Sequence, residues 1–218
     1  MTGRVGDTMA ARMPDADDRS PRQKEFIAAA ARLFAQRGYR AVGINEISAE
    51  LGLSGPAIYH HYPSKEALLV AVFEDAITAH LERIRDIVDQ AGDPRETLAA
   101  IIDHHISFVF ERSSNIVTWR TDFRHLPEED GRRIRYLQRL YTAEWVRAVR
   151  KIRPELAEIQ VKAMCDAAIA LIQSPTEYHS GLSREQLAPM LAAMASHALL
   201  DSEIVPIRVP SSSGDRVA

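Results

Sequence analysis

The sequence predicts an all-α protein of about nine helices, with a small three-helix head near its amino end and a larger helical body behind it. Three observations predict it. Apolar residues recur at helical spacing from Phe26 to Leu199, and no stretch shows the period-two alternation of a half-buried strand. Cap residues mark helix ends: Ser20-Pro21, Asp93-Pro94 and Ser183 with Gln186 open helices, while Gly38 and Gly92 close them. Between Ile44 and Tyr62, two short helical patterns meet at Gly52.

Residues 1–19 carry Gly3, Gly6, Pro14 and the acids Asp15, Asp17 and Asp18 without periodicity, and read as a disordered arm. The first helix aligns Phe26, Ala30, Leu33 and Phe34 on one face, and the second aligns Ile44, Ile47 and Leu51 behind the cap position Gly43. Gly52 supplies the permissive backbone of the turn and Leu53 plugs it. Ser54 is placed to cap the third helix by accepting from following amides, and Pro56 falls in the first turn, where a missing N–H costs nothing. Ile58 points inward, leaving Gly55, Ala57, Tyr59 and His61 on the opposite side.

Ser64 caps a fourth helix that carries Leu68, Leu69, Val72, Phe73, Ala76, Ile77, Leu81, Ile84 and Val88 to about Gln90, long enough to join head to body. The fifth holds Leu98, Ile101, Ile102, His105, Phe108 and Val109, and a shorter sixth holds Trp119. Pro127 and the acids Glu128, Glu129 and Asp130 begin a seventh with negative charge at its positive end. An eighth is expected from about Leu156 past Ile172, bent near Pro175, and a ninth from Arg184 to about Leu200. The expected division is a head over 20–65, a body over 66–203 and a flexible tail over 204–218.

The third helix has little bulk, which lets its N-terminal residues approach base edges in a DNA major groove. Charge distribution agrees. The chain has 27 basic and 30 acidic residues, a net −3, yet residues 19–65 hold seven basic against three acidic, so a head of +4 precedes a remainder of −7. The single cysteine, Cys165, excludes an intrachain disulfide and a cysteine-rich zinc site, and its apolar helix reads as burial of an inert thiol. No apolar run reaches membrane-spanning length and no secretion signal opens the chain, so a cytoplasmic location is expected. Asp103-His104-His105 lacks the partner set of a metal hydrolase, and adjacent His60 and His61 diverge too far on a helix to chelate one ion. Neither a catalytic site, a metal nor a cofactor is expected, and the chain is expected not to be an enzyme.

Five pieces in order, Phe26 to Phe34, Arg37-Gly38-Tyr39, Ile47 to Ser54, Ile58 to Tyr62 and Ser64 to Leu68, resemble the TetR family of transcriptional repressors. The resemblance implies a helix-turn-helix DNA-binding head and a ligand-binding, dimerising body, acting on a double-stranded palindromic operator as a homodimer through the last two helices. It implies DNA contacts from Ser54, Gly55, Pro56, Ala57, Tyr59 and His60, with His61, Tyr62 and Lys65 against phosphates. Ala57 stands where the family often has Thr or Ser, which leaves a methyl contact, and Gly43 offers no side-chain phosphate contact. A small-molecule effector is implied for the body. Its expected lining is His105, Phe108, Trp119, Phe123, Tyr141, Trp145 and Met164, with Phe110 beside them and His104, Arg120 and Arg124 as polar anchors. Arg120, Arg124 and His125 near Trp119 would suit an anionic or thioester ligand, and the body loosely resembles acyl-CoA-responsive regulators of lipid and sterol catabolism. The alternatives are a repressor of drug efflux genes and a helical protein-interaction module without DNA affinity.

Overall fold

The computed structural model describes residues 19–90 and 92–207, so residues 1–18 of the expected arm and 208–218 of the expected tail lie outside the described residues. Among the described residues there are nine α-helices and no strand. Helix α1 (Pro21–Arg37) opens with a complete capping box: Gln23 N–H donates to Ser20 Oγ at 3.3 Å and Ser20 N–H to Gln23 Oε1 at 2.9 Å. It ends at Gly38, whose φ of +80° is a conformation only glycine adopts freely. Helices α2 (Ile44–Glu50) and α3 (Gly55–Tyr59) meet through Gly52 at φ +67°. Gly43 caps α2 without a side chain, and the Glu46 carboxylate accepts its N–H at 3.2 Å.

Ser54 is the cap residue of α3, but its hydroxyl makes no capping bond, contrary to expectation. Pro56 has no N–H to give, and Ala57 N–H is taken by the Ser54 carbonyl at 3.0 Å. Helix α4 (Lys65–Gln90) has 26 residues, roughly 39 Å at the α-helical rise. Its first turn is fixed by Ser64 Oγ, which accepts Ala67 N–H at 3.1 Å. There follow α5 (Pro94–Glu111), α6 (Ser113–Asp122), a short 3-10 turn Phe123–His125, α7 (Glu128–Ile152), α8 (Glu158–Gln173) and α9 (Arg184–Leu200). The expected bend near Pro175 is instead an end. Helix α8 stops at Gln173, a 3-10 turn covers Ser174–Thr176, and the chain passes Gly181 at φ +76° before Gln186 Oε1 accepts Ser183 N–H at 3.0 Å to open α9.

Two hydrophobic clusters meet inside α4. The head cluster gathers Phe26, Phe34, Ile47, Ile58, Leu68 and Phe73, and the body cluster begins at Leu81 and joins Ile84, Leu98, Trp145, Val161 and Ile172. Helix α6 bridges them. Trp119 and Phe123 pack on the head cluster, Thr118 Oγ1 donates to the Ala31 carbonyl at 3.4 Å, and the buried Asp122 carboxylate accepts Tyr39 N–H at 3.2 Å. Cys165 is fully buried, and burial pushes its thiol up to about 12, so it is inert at neutral pH. No helix among the described residues is long and apolar enough to cross a membrane.

Candidate nucleic-acid interface and effector chamber

Ile58, 0% exposed, anchors α3 in the head, and the opposite face is open: Tyr59 is 50% exposed and His60 is exposed, with Ser54 and Pro56 at the helix start. Gly55 and Ala57 are half-buried and add almost no height. A Cβ on Gly55 would stand 2.7 Å from Asn45 Oδ1, so this position must stay small for α2 and α3 to close on each other. His61 is half-buried, its ring 5.6 Å from that of Phe26. Between α1 and α2, Arg32 pairs with Glu50 at 3.6 Å and Arg37 with Glu46 at 3.3 Å, all roughly half exposed. Such pairs are weak in water and open readily toward phosphates.

Two expected phosphate contacts sit elsewhere. Tyr62 is only 6% exposed, packed edge-on against Phe26, its hydroxyl donating to the Gln23 carbonyl at 3.4 Å. It ties α3 to α1 from inside the head. Lys65 Nζ donates to the Tyr39 and Val42 carbonyls at 2.9 and 3.0 Å and lies 4.3 Å from the Tyr39 ring centroid. Two of its three donors are therefore spent on holding the 3-10 turn Tyr39–Ala41 against α4.

In the body a cavity of about 250 Å³ lies between α4, α5, α6, α7 and α8. Phe73, Ala76, Ile77 and His80 come from α4, His105 and Phe108 from α5, Asn115, Ile116 and Trp119 from α6, Gln138, Tyr141 and Thr142 from α7, and Asp166, Ile169, Ala170 and Gln173 from α8. Four expected lining residues are thus brought together: His105, Phe108, Trp119 and Tyr141. Phe123, Trp145 and Met164 are not among the lining. Phe123 packs between Phe73 and Trp119 on the head side, Trp145 is 0% exposed beneath His105, and Met164 packs against the body core. The expected polar anchors also fall outside. Arg120 pairs with Glu177, Arg124 is exposed, His125 stacks on Tyr39, and Phe110 lies under Arg184. No lysine or arginine lines the cavity.

Sequence reasoning missed His80, the centre of a buried hydrogen-bonded chain. His80 Nδ1 lies 2.8 Å from His104 Nε2, His80 Nε2 lies 2.9 Å from His105 Nδ1, and that same Nδ1 is 2.7 Å from the Tyr141 hydroxyl. The His80 ring is sandwiched between Phe108 and Tyr141, with centroids 4.0 and 4.4 Å away. Desolvation, reinforced by the neighbouring imidazoles, holds His80 well below its usual pKa and His105 at about 3, and burial and then Arg83 lower His104. All three are neutral at physiological pH. The nitrogens face one another in a row rather than converging on a point, and among the described residues no group of three or more His, Cys, Asp or Glu side chains is arranged to hold a metal ion.

Beside the cavity, a groove of about 790 Å³ runs between α7 and α8 and shares Gln138, Thr142 and Asp166 with it. Arg139, Arg147, Arg150, Lys151 and Lys162 line the groove against Glu158 and Asp166.

The family model described as bacterial regulatory proteins, tetR family, matches residues 26–72, and that of the tetracyclin repressor-like C-terminal domain matches residues 91–177. The HTH-type transcriptional repressor KstR2 of Rhodococcus jostii is 30% identical over 132 residues, 59% of this chain and 64% of that protein. The match therefore spans less than two thirds of the relative's length. Among solved structures, the ketosteroid transcriptional regulator KstR2 of Mycobacterium tuberculosis aligns with a TM-score of 0.69 and 22% identity, over 86% of this chain and 99% of that one. AibR, solved in complex with isovaleryl coenzyme A and operator DNA, aligns with a TM-score of 0.68 and 22% identity, over 79% and 97%. At these identities the structural likeness speaks for the fold. Regulators of this description are not enzymes, in keeping with the sequence. Head and body are each matched by a model of one family, in the order and positions its residues announce: the chain belongs to the TetR family of bacterial regulatory proteins.

Proposed function

We propose that this protein is a transcriptional repressor that binds a palindromic operator as a homodimer and releases it when a small molecule enters the body. The observation that carries the reading is α4. Its first turns belong to the head cluster, and its middle supplies Phe73, Ile77 and His80 to the cavity wall, so whatever occupies the cavity bears on the helix that holds α3 in place. The base-reading set is Ser54, Gly55, Pro56, Ala57, Tyr59 and His60, with His61 against phosphate and Tyr62 and Lys65 as the frame that positions them. Two-fold assembly would set two such helices about 34–36 Å apart on one DNA face. Helices α8 and α9 support it: Ala163, Ala167 and Ala170 are exposed on one, Met190 (44%) and Met194 (48%) on the other, an apolar surface that nothing among the described residues covers. Such a regulator acts in the cytoplasm, where the genome is.

For the effector, we favour an acyl-CoA or related lipophilic thioester. The lipophilic cavity and the cation-lined groove meet at Gln138, Thr142 and Asp166, which suits an acyl group joined to a polyanionic carrier. The test is operator retention by the purified protein at rising salt, using the promoter of its own gene as a full palindrome and as a half-site. Retention at low salt that falls steeply with ionic strength, and is tighter for the palindrome, supports the reading. No retention at any ionic strength overturns it.

A further inference from the structure

We propose that the cavity selects an uncharged, mainly aliphatic group carrying one hydrogen-bond acceptor, such as a ketone or thioester carbonyl, and that the His80 Nε2–H is the donor that reads it. This narrows the effector-responsive reading above and rests on it.

The argument starts from His105. Its Nε2 is buried without a hydrogen-bond partner, while its Nδ1 lies 2.7 Å from the buried Tyr141 hydroxyl. That hydroxyl keeps its proton and needs an acceptor, so Nδ1 accepts and Nε2 carries the imidazole proton. His105 Nδ1 is then a bare acceptor with a single in-plane lone pair. Two donors converge on it, Tyr141 O–H at 2.7 Å and His80 Nε2–H at 2.9 Å. The His80 assignment follows, since its Nδ1 is left to accept from His104 Nε2–H at 2.8 Å. One lone pair cannot serve two donors well, and a buried donor short of an acceptor is costly. An acceptor arriving in the cavity, which His80 and Tyr141 both line, relieves the shortage.

Charge decides which acceptor. The only ionised side chain in the lining is Asp166, exposed at the rim, and no lysine or arginine faces inward. Asp166 is already paired with Lys162 at 2.6 Å, so a carboxylate entering would lose its hydration without a counter-charge, whereas a neutral carbonyl has no charge to desolvate. The reader is also well placed. His80 sits on α4, clamped between the Phe108 and Tyr141 rings, so a ligand that draws its Nε2–H away from His105 loosens the polar tie between α4 and α5.

The experiment uses 2-decanone, decanoate and decane as probes, with binding read by the fluorescence of Trp119, which lines the cavity. The full chain is compared with His80→Phe, which keeps the ring stack but has no donor, and with Tyr141→Phe, which removes the competing donor. The ketone should bind the unmodified chain about tenfold or more tighter than the carboxylate, and His80→Phe should weaken the ketone several-fold while leaving decane unchanged. In Tyr141→Phe, His80 gains sole use of His105 Nδ1, so ketone affinity should also fall. If His80→Phe no longer binds decane, His80→Leu, likewise without a donor, takes its place. Equal binding of ketone and carboxylate, binding of none of the three probes, or ketone affinity unchanged in the His80 variant overturns the proposal. Operator retention without probe, measured on the same samples, reports on the repressor reading separately.

Discussion

Acidification should destabilise this protein well above the pH at which carboxylates protonate, because its body folds around histidines that must stay neutral. The sign follows from the direction of the shifts. His80 and His105 are held below their unfolded values by burial, so the stabilisation is complete above the unfolded pKa and is lost as pH falls toward the folded one. An unfolded imidazole of pKa about 6.5 gains roughly 2 kcal/mol from protonation between about pH 7.5 and 5, which the folded state forgoes. His105, held at about 3, takes up no proton in that window. His80 adds a loss of the same sign, and the His105 share alone is a fall in Tm of roughly 4–8 °C for a chain of this size. His104 is less deeply buried, faces Arg83 and Glu111, and adds less. The assay is thermal unfolding by circular dichroism across that range at constant ionic strength, with His105→Gln as the comparator. Glutamine keeps an acceptor for Tyr141 and His80 but does not titrate, so the pH slope should become shallower. A Tm constant across the range, or a slope in His105→Gln equal to that of the unmodified chain, would refute the reasoning.

Tyr59→Ala should lower operator affinity about tenfold or more in a retention assay while shifting stability by no more than about 0.5 kcal/mol, because its half-exposed side chain is open to solvent. Gly52→Ala places a side chain at φ +67° where no neighbour lies within 4 Å, so the cost is backbone strain alone, about 1–2 kcal/mol by denaturant unfolding. Asp122→Ala strips the acceptor from Tyr39 N–H, while the Thr121 hydroxyl keeps the Val117 carbonyl, and should cost about 1–3 kcal/mol, most of it recovered in Asp122→Asn. Met194→Glu should shift sedimentation from dimer toward monomer; an unchanged sedimentation profile counts against α9 as the pairing surface.

The helices, their caps and the turn at Gly52 were legible because each depends on residues close in sequence. What went unread depends on partners far along the chain. Tyr62 and Lys65 lie next to the reading helix, but their hydrogen-bond acceptors belong to Gln23, Tyr39 and Val42, so local position alone pointed outward. Among the aromatic residues, composition identified a cluster but not which side of a wall each ring would take. Trp119 and Tyr141 reach the cavity, while Phe123 and Trp145 stand behind them. His80 left one faint signal. It falls on the inward stripe of α4 with Phe73, Ile77 and Ile84, where an imidazole needs buried partners, but nothing in the chain says that His104, His105 and Tyr141 provide them.

A cavity affects a distant surface only through contacts whose energy differs between filled and empty states. Three contacts run from the cavity toward α3. The His80 ties act on α4 itself, the Trp119 ring meets Phe73 edge-on at 5.4 Å within the head cluster, and Asp122 at the end of α6 grips the Tyr39 amide, whose carbonyl in turn holds Lys65 at the start of α4. An aromatic edge contact is worth about 0.5–1.5 kcal/mol and a hydrogen bond to a buried carboxylate about 1.5–3 kcal/mol. Allosteric couplings of about 1–3 kcal/mol need no more than one of these to change. The route through α4 has the advantage of directness, since the helix whose polar tie is altered is the one whose first turn is anchored to the reading head. Helix α6 closes the loop from the other side, and a ligand that moved α4 without α6 would have to break the Asp122–Tyr39 bond. Retaining that bond in the filled state would force the head to move with α6, and losing it would free the head to reorient about α1.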